Sequence, residues 1–194
     1  MKFIMKNYTN KSICLIIKIF NDFVANRNLK GEINVSNFCE SIGVSLREFI
    51  TDIDFILEDL LTASIYNEGC GYTLIDNIEF NEISIKYNIS NYLSKDVLHK
   101  QVVYDIKSII KLSNKYDIQL YIAFLNNDKK CFSITGLKAI YDAQYGYSND
   151  SDFVTKKVKP SIENINRVTN IKVTYFRKKT NEDKYYFDFT PSED

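Results

Sequence analysis

Phe153-Val-Thr-Lys-Lys-Val-Lys-Pro-Ser-Ile-Glu-Asn-Ile-Asn-Arg167 is the stretch on which the fold turns. Val154, Val158, Ile162 and Ile165 recur at the i, i+4, i+8, i+11 spacing that keeps side chains on one side of a helix. At about 100° per residue, Lys156, Lys159, Pro160, Glu163 and Arg167 fall on the opposite side, so the spacing predicts a basic helix with one apolar face. Pro160 has no backbone N–H to donate, and a kink or break is expected there.

Two strand-like runs follow, Ile171-Lys-Val-Thr-Tyr-Phe176 and Tyr185-Tyr-Phe-Asp-Phe189, joined by the charged segment Arg177-Lys-Lys-Thr-Asn-Glu-Asp-Lys184. A helix followed by a β-hairpin with a basic tip is the arrangement of a winged helix, whose helix enters a DNA groove and whose wing meets backbone phosphates. Residues 155–184 carry nine basic and three acidic side chains, a net of +6. A solvated helix packed on a hairpin gives the same pattern without DNA, and at this point both readings stand.

On the DNA reading the candidate contacts are Lys156, Lys157, Lys159, Asn164, Arg167, Arg177, Lys178 and Lys179. Arg167, with its planar bidentate guanidinium, suits a guanine edge. Asn164 and Asn166 suit adenine, although Asn166 equally suits a cap at the helix end. Lys178 and Lys179 at the wing tip suit phosphates, which position the protein without reading sequence.

The first half repeats the order of elements. Ile13, Ile16, Ile17, Phe20, Phe23 and Val24 mark an amphipathic helix, and Ile33-Asn-Val35 a short strand. Ser36 is the expected N-cap of a helix over 37–42, Gly43 the turn, and Ser45 the cap of a second helix through Leu61. That helix is expected to bury Leu46, Phe49, Ile50, Ile53, Ile56, Leu57 and Leu60. Ser64-Ile-Tyr66 and Tyr72-Thr-Leu-Ile75 then flank a glycine-bearing turn, Glu68-Gly-Cys-Gly71. Residues 78–89, with Ile83, Ile85 and Tyr87 alternating, read as a strand extending the same sheet.

Before the basic helix, 108–112 and 117–125 read as helices, Cys131-Phe-Ser-Ile134 as a strand, and Thr135 as the cap of a helix over 136–143. Ser36 and Thr135 occupy equivalent places. The expected fold class is therefore α+β, two tandem winged-helix domains over 1–95 and 96–194. The first is expected to serve dimerisation or interaction, the second DNA binding. No Pro/Gly linker separates them, so they are expected to pack together.

Composition narrows the function classes. The 194 residues are 45% hydrophobic with a formal net charge of zero, which argues against an indiscriminately basic nucleic-acid coat. Distribution says more. Residues 31–82 hold eleven acids against one base, a net of −10, and residues 83–138 nine lysines against four aspartates, a net of +5. An acidic first half joined to a basic second half suggests that one half alone faces a polyanion. Cys14, Cys39, Cys70 and Cys131 lack CxxC spacing, and His99 is the one histidine. No metal is therefore expected, and the thiols read as buried and reduced. The apolar run 12–20 is too short to span a bilayer and lacks a cleavage signal, which points to a cytoplasmic protein without membrane contact. No P-loop, HEXXH or GxSxG pattern is present, and one histidine cannot build the His-pair metal site of a nickase. Neither enzyme activity nor a cofactor is expected.

Three segments carry a resemblance to a known family. Ser113-Asn-Lys-Tyr-Asp-Ile-Gln-Leu-Tyr121 looks like a serine–tyrosine–arginine–leucine–tyrosine helix, with Gln119 in place of the usual arginine. Residues 153–166, with the mid-element Pro160 and the ending Glu163-Asn-Ile-Asn166, look like a recognition helix. Thr169-Asn-Ile-Lys-Val173, the basic hairpin and Phe187-Asp-Phe189 look like a final wing. In this order they resemble the tandem winged-helix replication initiators (Rep proteins) of theta-replicating plasmids. The resemblance implies binding of double-stranded DNA at origin repeats (iterons), origin melting and recruitment of host replisome proteins such as a helicase. It also implies a homodimer that represses its own gene and a monomer that initiates. Two departures stand out: the chain is short for the family, and its first recognition-type helix is acidic, with Glu48, Asp52, Asp54, Glu58 and Asp59 beside a single Arg47. Phosphates would repel that surface, so dimerisation is the more natural use of it. A winged-helix transcriptional regulator and a replisome-loading adaptor are the competing functions.

Overall fold

The computed structural model describes residues 2–4, 8–67, 70–93, 104–112, 114–126, 131–141, 143, 147, 149–178 and 184–191, with backbone alone at 2–4, 66–67, 70, 176–178 and 184–191. The chain forms two compact units, Met1–Ile110 and Lys111–Asp194.

In the first unit, β1 (Lys2–Ile4) precedes α1 (Asn10–Asn26), whose N-cap Thr9 accepts from the Ser12 N–H. The expected face of α1 is buried except for Val24, which is half-buried, and Cys14, Leu15 and Ile19 are buried too, so the helix runs through the core and is not a surface helix with one wet side. Next come β2 (Lys30–Asn34), α2 (Val35–Ile42), α3 (Leu46–Thr51) and α4 (Ile53–Thr62). Gly43 closes α2 at φ +68°, a left-handed position that favours glycine. The single helix expected from Ser45 to Leu61 is interrupted at Asp52, and its apolar set is only partly buried. Phe49, Ile56 and Leu60 are inside, whereas Leu46 is 39% exposed.

The strands β3 (Ser64–Asn67), β4 (Cys70–Thr73), β5 (Ile75–Phe80) and β6 (Ser84–Ile89) complete the unit. They form two sheets, in the orders β1-β3-β4 and β2-β6-β5. The segment read as one strand over 78–89 is instead a hairpin in a sheet separate from β3 and β4. Its turn is set by Asn81, whose side-chain oxygen accepts from the N–H groups of Ile83 and Ser84. Ile83 therefore sits at a turn and is 70% exposed. In β2, Gly31 leaves room for the ring of Tyr87 on the paired strand, since a Cβ there would overlap the phenol.

Helix α5 (Ile106–Lys111) crosses the division between units. The expected division is at 95/96. The first unit extends further because Asn21 on α1 grips the Tyr104 backbone, Nδ2 donating to the carbonyl at 2.7 Å and Oδ1 accepting from the N–H at 2.9 Å.

The second unit runs α6 (Lys115–Asn126), β7 (Cys131–Ser133), α7 (Ile134–Ile140), α8 (Asp150–Phe153), a π-helical turn over Val154–Val158, α9 (Lys159–Val168), β8 (Ile171–Lys178) and β9 (Lys184–Pro191). Its sheet order is β7-β9-β8, with the final hairpin β8–β9 in antiparallel register from Ile171↔Pro191 to Lys178↔Lys184. Leu120, Phe124, Leu137, Phe153, Val158 and Ile165 are fully buried and form its core.

The helix caps differ from expectation in the same way in both units. Asn34, not Ser36, caps α2 by accepting from the Asn37 N–H at 2.9 Å. Ser133, not Thr135, caps α7 by accepting from the Gly136 N–H at 3.0 Å. Each cap is the last residue of the preceding strand, so the helix starts with no intervening loop. The equivalence of the two positions holds, shifted by two residues.

Candidate nucleic-acid interface

The basic helix is built in three continuous segments, α8, the π-helical turn and α9. Asn149 caps its start, its side chain accepting from the Ser151 N–H at 2.8 Å. Pro160 does not break the helix. The irregularity it imposes lies one turn upstream, where the Lys159 N–H donates to the Val154 carbonyl, five residues back. This extra residue has a packing consequence. In an unbroken α-helix Phe153 would point about 140° away from Val158. Here both are fully buried, and Phe153 meets the rings of Tyr141 and Tyr147 at 5.5 and 5.4 Å.

The predicted inner face of this helix, Val154, Val158, Ile162 and Ile165, is buried, and the outer face, Lys156, Lys159, Pro160, Glu163 and Arg167, is exposed. Lys157 is exposed as well, and among the described residues it has no ionic partner. Lys156 pairs with Asp152 at 2.9 Å, and this carboxylate raises its ammonium pKa above the ordinary value. Lys159 lies 3.9 Å from Glu163. Both are exposed i,i+4 pairs, worth little in water, so neither commits its lysine against a competing polyanion.

Asn164 and Arg167 are tied together. Arg167 Nη2 donates to Asn164 Oδ1 at 2.6 Å, and Asn164 Nδ2 donates to Asp117 Oδ2 on α6 at 2.7 Å. Asn166 neither faces outward nor caps the helix end. Its amide bonds the backbone of Val173 on β8, which removes it from the adenine-reading candidates. The helix end is closed by Thr169, whose N–H donates to the Ile165 carbonyl. Arg177 and Lys178 occupy the end of β8, opposite Tyr185 and Lys184. Lys179 and the rest of the wing tip, like His99, lie outside the described residues.

Sequence reasoning missed Asp117, which is 5% exposed. Asp117 was read as the first residue of the helix over 117–125, where an acid suits the helix start and gives no signal of a buried role. Nothing in the sequence pairs it with Asn164, 47 residues away. An open cavity of about 320 Å³ borders this pair, walled by Tyr116, Tyr141, Lys156, Lys157 and Ser161. Burial raises the Tyr141 phenol pKa well above its ordinary value.

The corresponding surface of the first unit has a different character. Lys11 reaches across from α1 to Glu48 at 2.7 Å and Asp52 at 2.8 Å. The acids turned outward on α4 are Asp54 and Glu58, beside Phe55, which is 69% exposed. Asp52 and Asp59, read from sequence as outward-facing, are half-buried, and Asp59 accepts from the Thr9 N–H. Among the described residues, no helix is long and apolar enough to cross a membrane, and no group of three or more His, Cys, Asp or Glu side chains could hold a metal ion.

No protein-family model matches the chain, and no curated protein matches it. Solved structures do. The chain is similar to the Pi initiator protein in complex with iteron DNA, at 16% identity and a TM-score of 0.69, over 97% of this chain and 96% of that one. It is also similar to domains 2 and 3 of RctB, at 7% identity and a TM-score of 0.55, over 97% and 85% of the two chains. At these identities the likeness establishes the fold alone, an α+β winged-helix architecture.

Proposed function

We propose that this chain is a replication initiator that binds double-stranded DNA in a sequence-specific way at origin repeats. The observation that carries the reading is the helix 150–168. It keeps its apolar face in the core and turns Lys156, Lys157, Lys159 and Arg167 outward, directly before a hairpin with a basic turn sequence. Lysines on such a face suit phosphates, and Arg167 suits a guanine edge. The similarity to a protein solved with iteron DNA supports the choice of repeats as target. The action proposed is binding and assembly, not catalysis. Homodimers and host replisome proteins are the further partners, and the acidic, Phe55-bearing surface of the first unit suits such contacts better than it suits phosphates.

Selection from a random duplex library tests the reading. The full chain should enrich one sequence, and Arg167→Ala should cost about 1–3 kcal/mol on it and relax preference at one base pair. No enrichment, or an equal loss on random DNA, rejects sequence readout by this helix. Direct repeats of the selected sequence beside the gene favour the initiator over a regulator, for which a palindrome is expected.

A further inference from the structure

Asp117 lies on α6, not on the basic helix, and is 5% exposed, so it cannot touch DNA itself. We infer that it is a positioning residue for base readout, acting through Asn164 to hold the Arg167 guanidinium in a fixed pose. The inference rests on the duplex-binding reading above.

The chemistry of the three groups dictates the direction of both bonds. A carboxylate can only accept, so Asn164 must turn its NH2 towards Asp117, as it does at 2.7 Å. The amide oxygen is thereby left facing the other way. A guanidinium can only donate, and Arg167 Nη2 meets that oxygen at 2.6 Å. Were the amide reversed, its NH2 would face the guanidinium, and two donors would meet. The buried carboxylate thus sets which end of Asn164 Arg167 encounters.

The partner that Arg167 does not take is also informative. Glu163, one turn back at i−4, is exposed and would be an ordinary ionic partner, yet it stands 3.9 Å from Lys159. Among the described residues no carboxylate pairs with Arg167. Its charge is left for a ligand while one N–H group is tethered, which leaves the other donors of the fork for a base edge. A long exposed side chain loses substantial rotamer freedom when it docks on a base, and a tether made beforehand reduces that loss.

The test uses the full chain and the duplex it selects from a random library. Asp117→Asn can turn the Asn164 amide round, since the new side chain offers a donor as well as an acceptor. It should lower preference about tenfold at the same base pair that Arg167→Ala flattens, with affinity for random duplex and the salt slope unchanged. Added to Arg167→Ala, it should cost no further preference, because both act on one contact. Asn164→Ala removes the tether while leaving the Arg167 charge without a carboxylate partner, and it should lower preference at that same base pair. Full preference in folded Asp117→Asn overturns the inference while leaving the DNA reading intact. If Asp117→Asn unfolds the unit, Asn164→Ala decides: loss of preference at the Arg167 base pair, with no further loss when combined with Arg167→Ala, supports the inference, and full preference overturns it. A wild-type chain that enriches no sequence rejects the DNA reading, and this inference with it.

Discussion

Asn166 closes a two-bond ring with the backbone of Val173, Nδ2 donating to the carbonyl at 2.8 Å and Oδ1 accepting from the N–H at 2.6 Å. Val173 lies on β8, an edge strand, so these backbone groups face away from β9 and would otherwise lack a partner. Asn21 makes the same ring with Tyr104 in the first unit. In each unit one asparagine on a helix thus satisfies the backbone of another segment, seven residues away for Asn166 and 83 residues away for Asn21.

Asn166→Ala should destabilise the second unit by about 2–4 kcal/mol, because Val173 is 2% exposed and water cannot readily replace the lost bonds. Urea unfolding followed by circular dichroism measures this. A change below about 0.5 kcal/mol would mean that the ring contributes little beyond what solvent offers.

Replacing Lys178 and Lys179 together by alanine should weaken binding to every duplex and lower the salt slope by about one to two units. Fluorescence anisotropy over a salt series reads both effects. An unchanged slope would remove the wing from the phosphate contacts.

Asp54→Asn with Glu58→Gln should leave the selected DNA sequence unchanged, since carboxylates set against phosphates would cost affinity. These are the acids that α4 turns outward, whereas Asp52→Asn would also disrupt the ion pair with Lys11. A shift in the monomer–dimer balance, read by sedimentation, is the expected effect. Footprinting that placed residues 45–61 in a major groove would contradict it.

Stability should decline in alkali. Burial pushes the Cys14 thiol from 9.0 up to about 12, and burial with nearby Asp22 pushes the Tyr87 phenol from 10.0 up to about 12. With folded values raised, the native state keeps protons that the unfolded chain releases. Their contribution is complete below each unfolded value and is lost as pH rises towards about 12. The loss should be about 1 kcal/mol per pH unit for each group, and Cys14→Val should reduce the loss that begins in the thiol's range, leaving the share of Cys39, whose thiol burial also raises.

Helical periodicity was the most legible part of the sequence, because burial of one face leaves a direct trace. Val154, Val158, Ile162 and Ile165 are inside as their spacing requires, and the lysines opposite them are outside. Boundaries were less legible. Ser36 and Thr135 are good capping residues, but a short residue with a side-chain oxygen at a strand end can cap a helix that begins at once, and Asn34 and Ser133 do so. Ile83, Ile85 and Tyr87 alternate as a strand does, and only Asn81 signalled that a turn came first. The pairing of Asp117 with Asn164, and of Asn166 with Val173, depends on which elements meet in space, and no local pattern encodes that.

The π-helical turn at Val154–Val158 also changes how the cations are arrayed. One additional residue in a turn shifts everything before it by about 100° around the axis relative to everything after it. Lys156 and Lys157 therefore do not form a single straight row with Lys159 and Arg167. The two groups of cations are offset around the axis, and deleting one residue from the turn would straighten the helix and bring them back into one row.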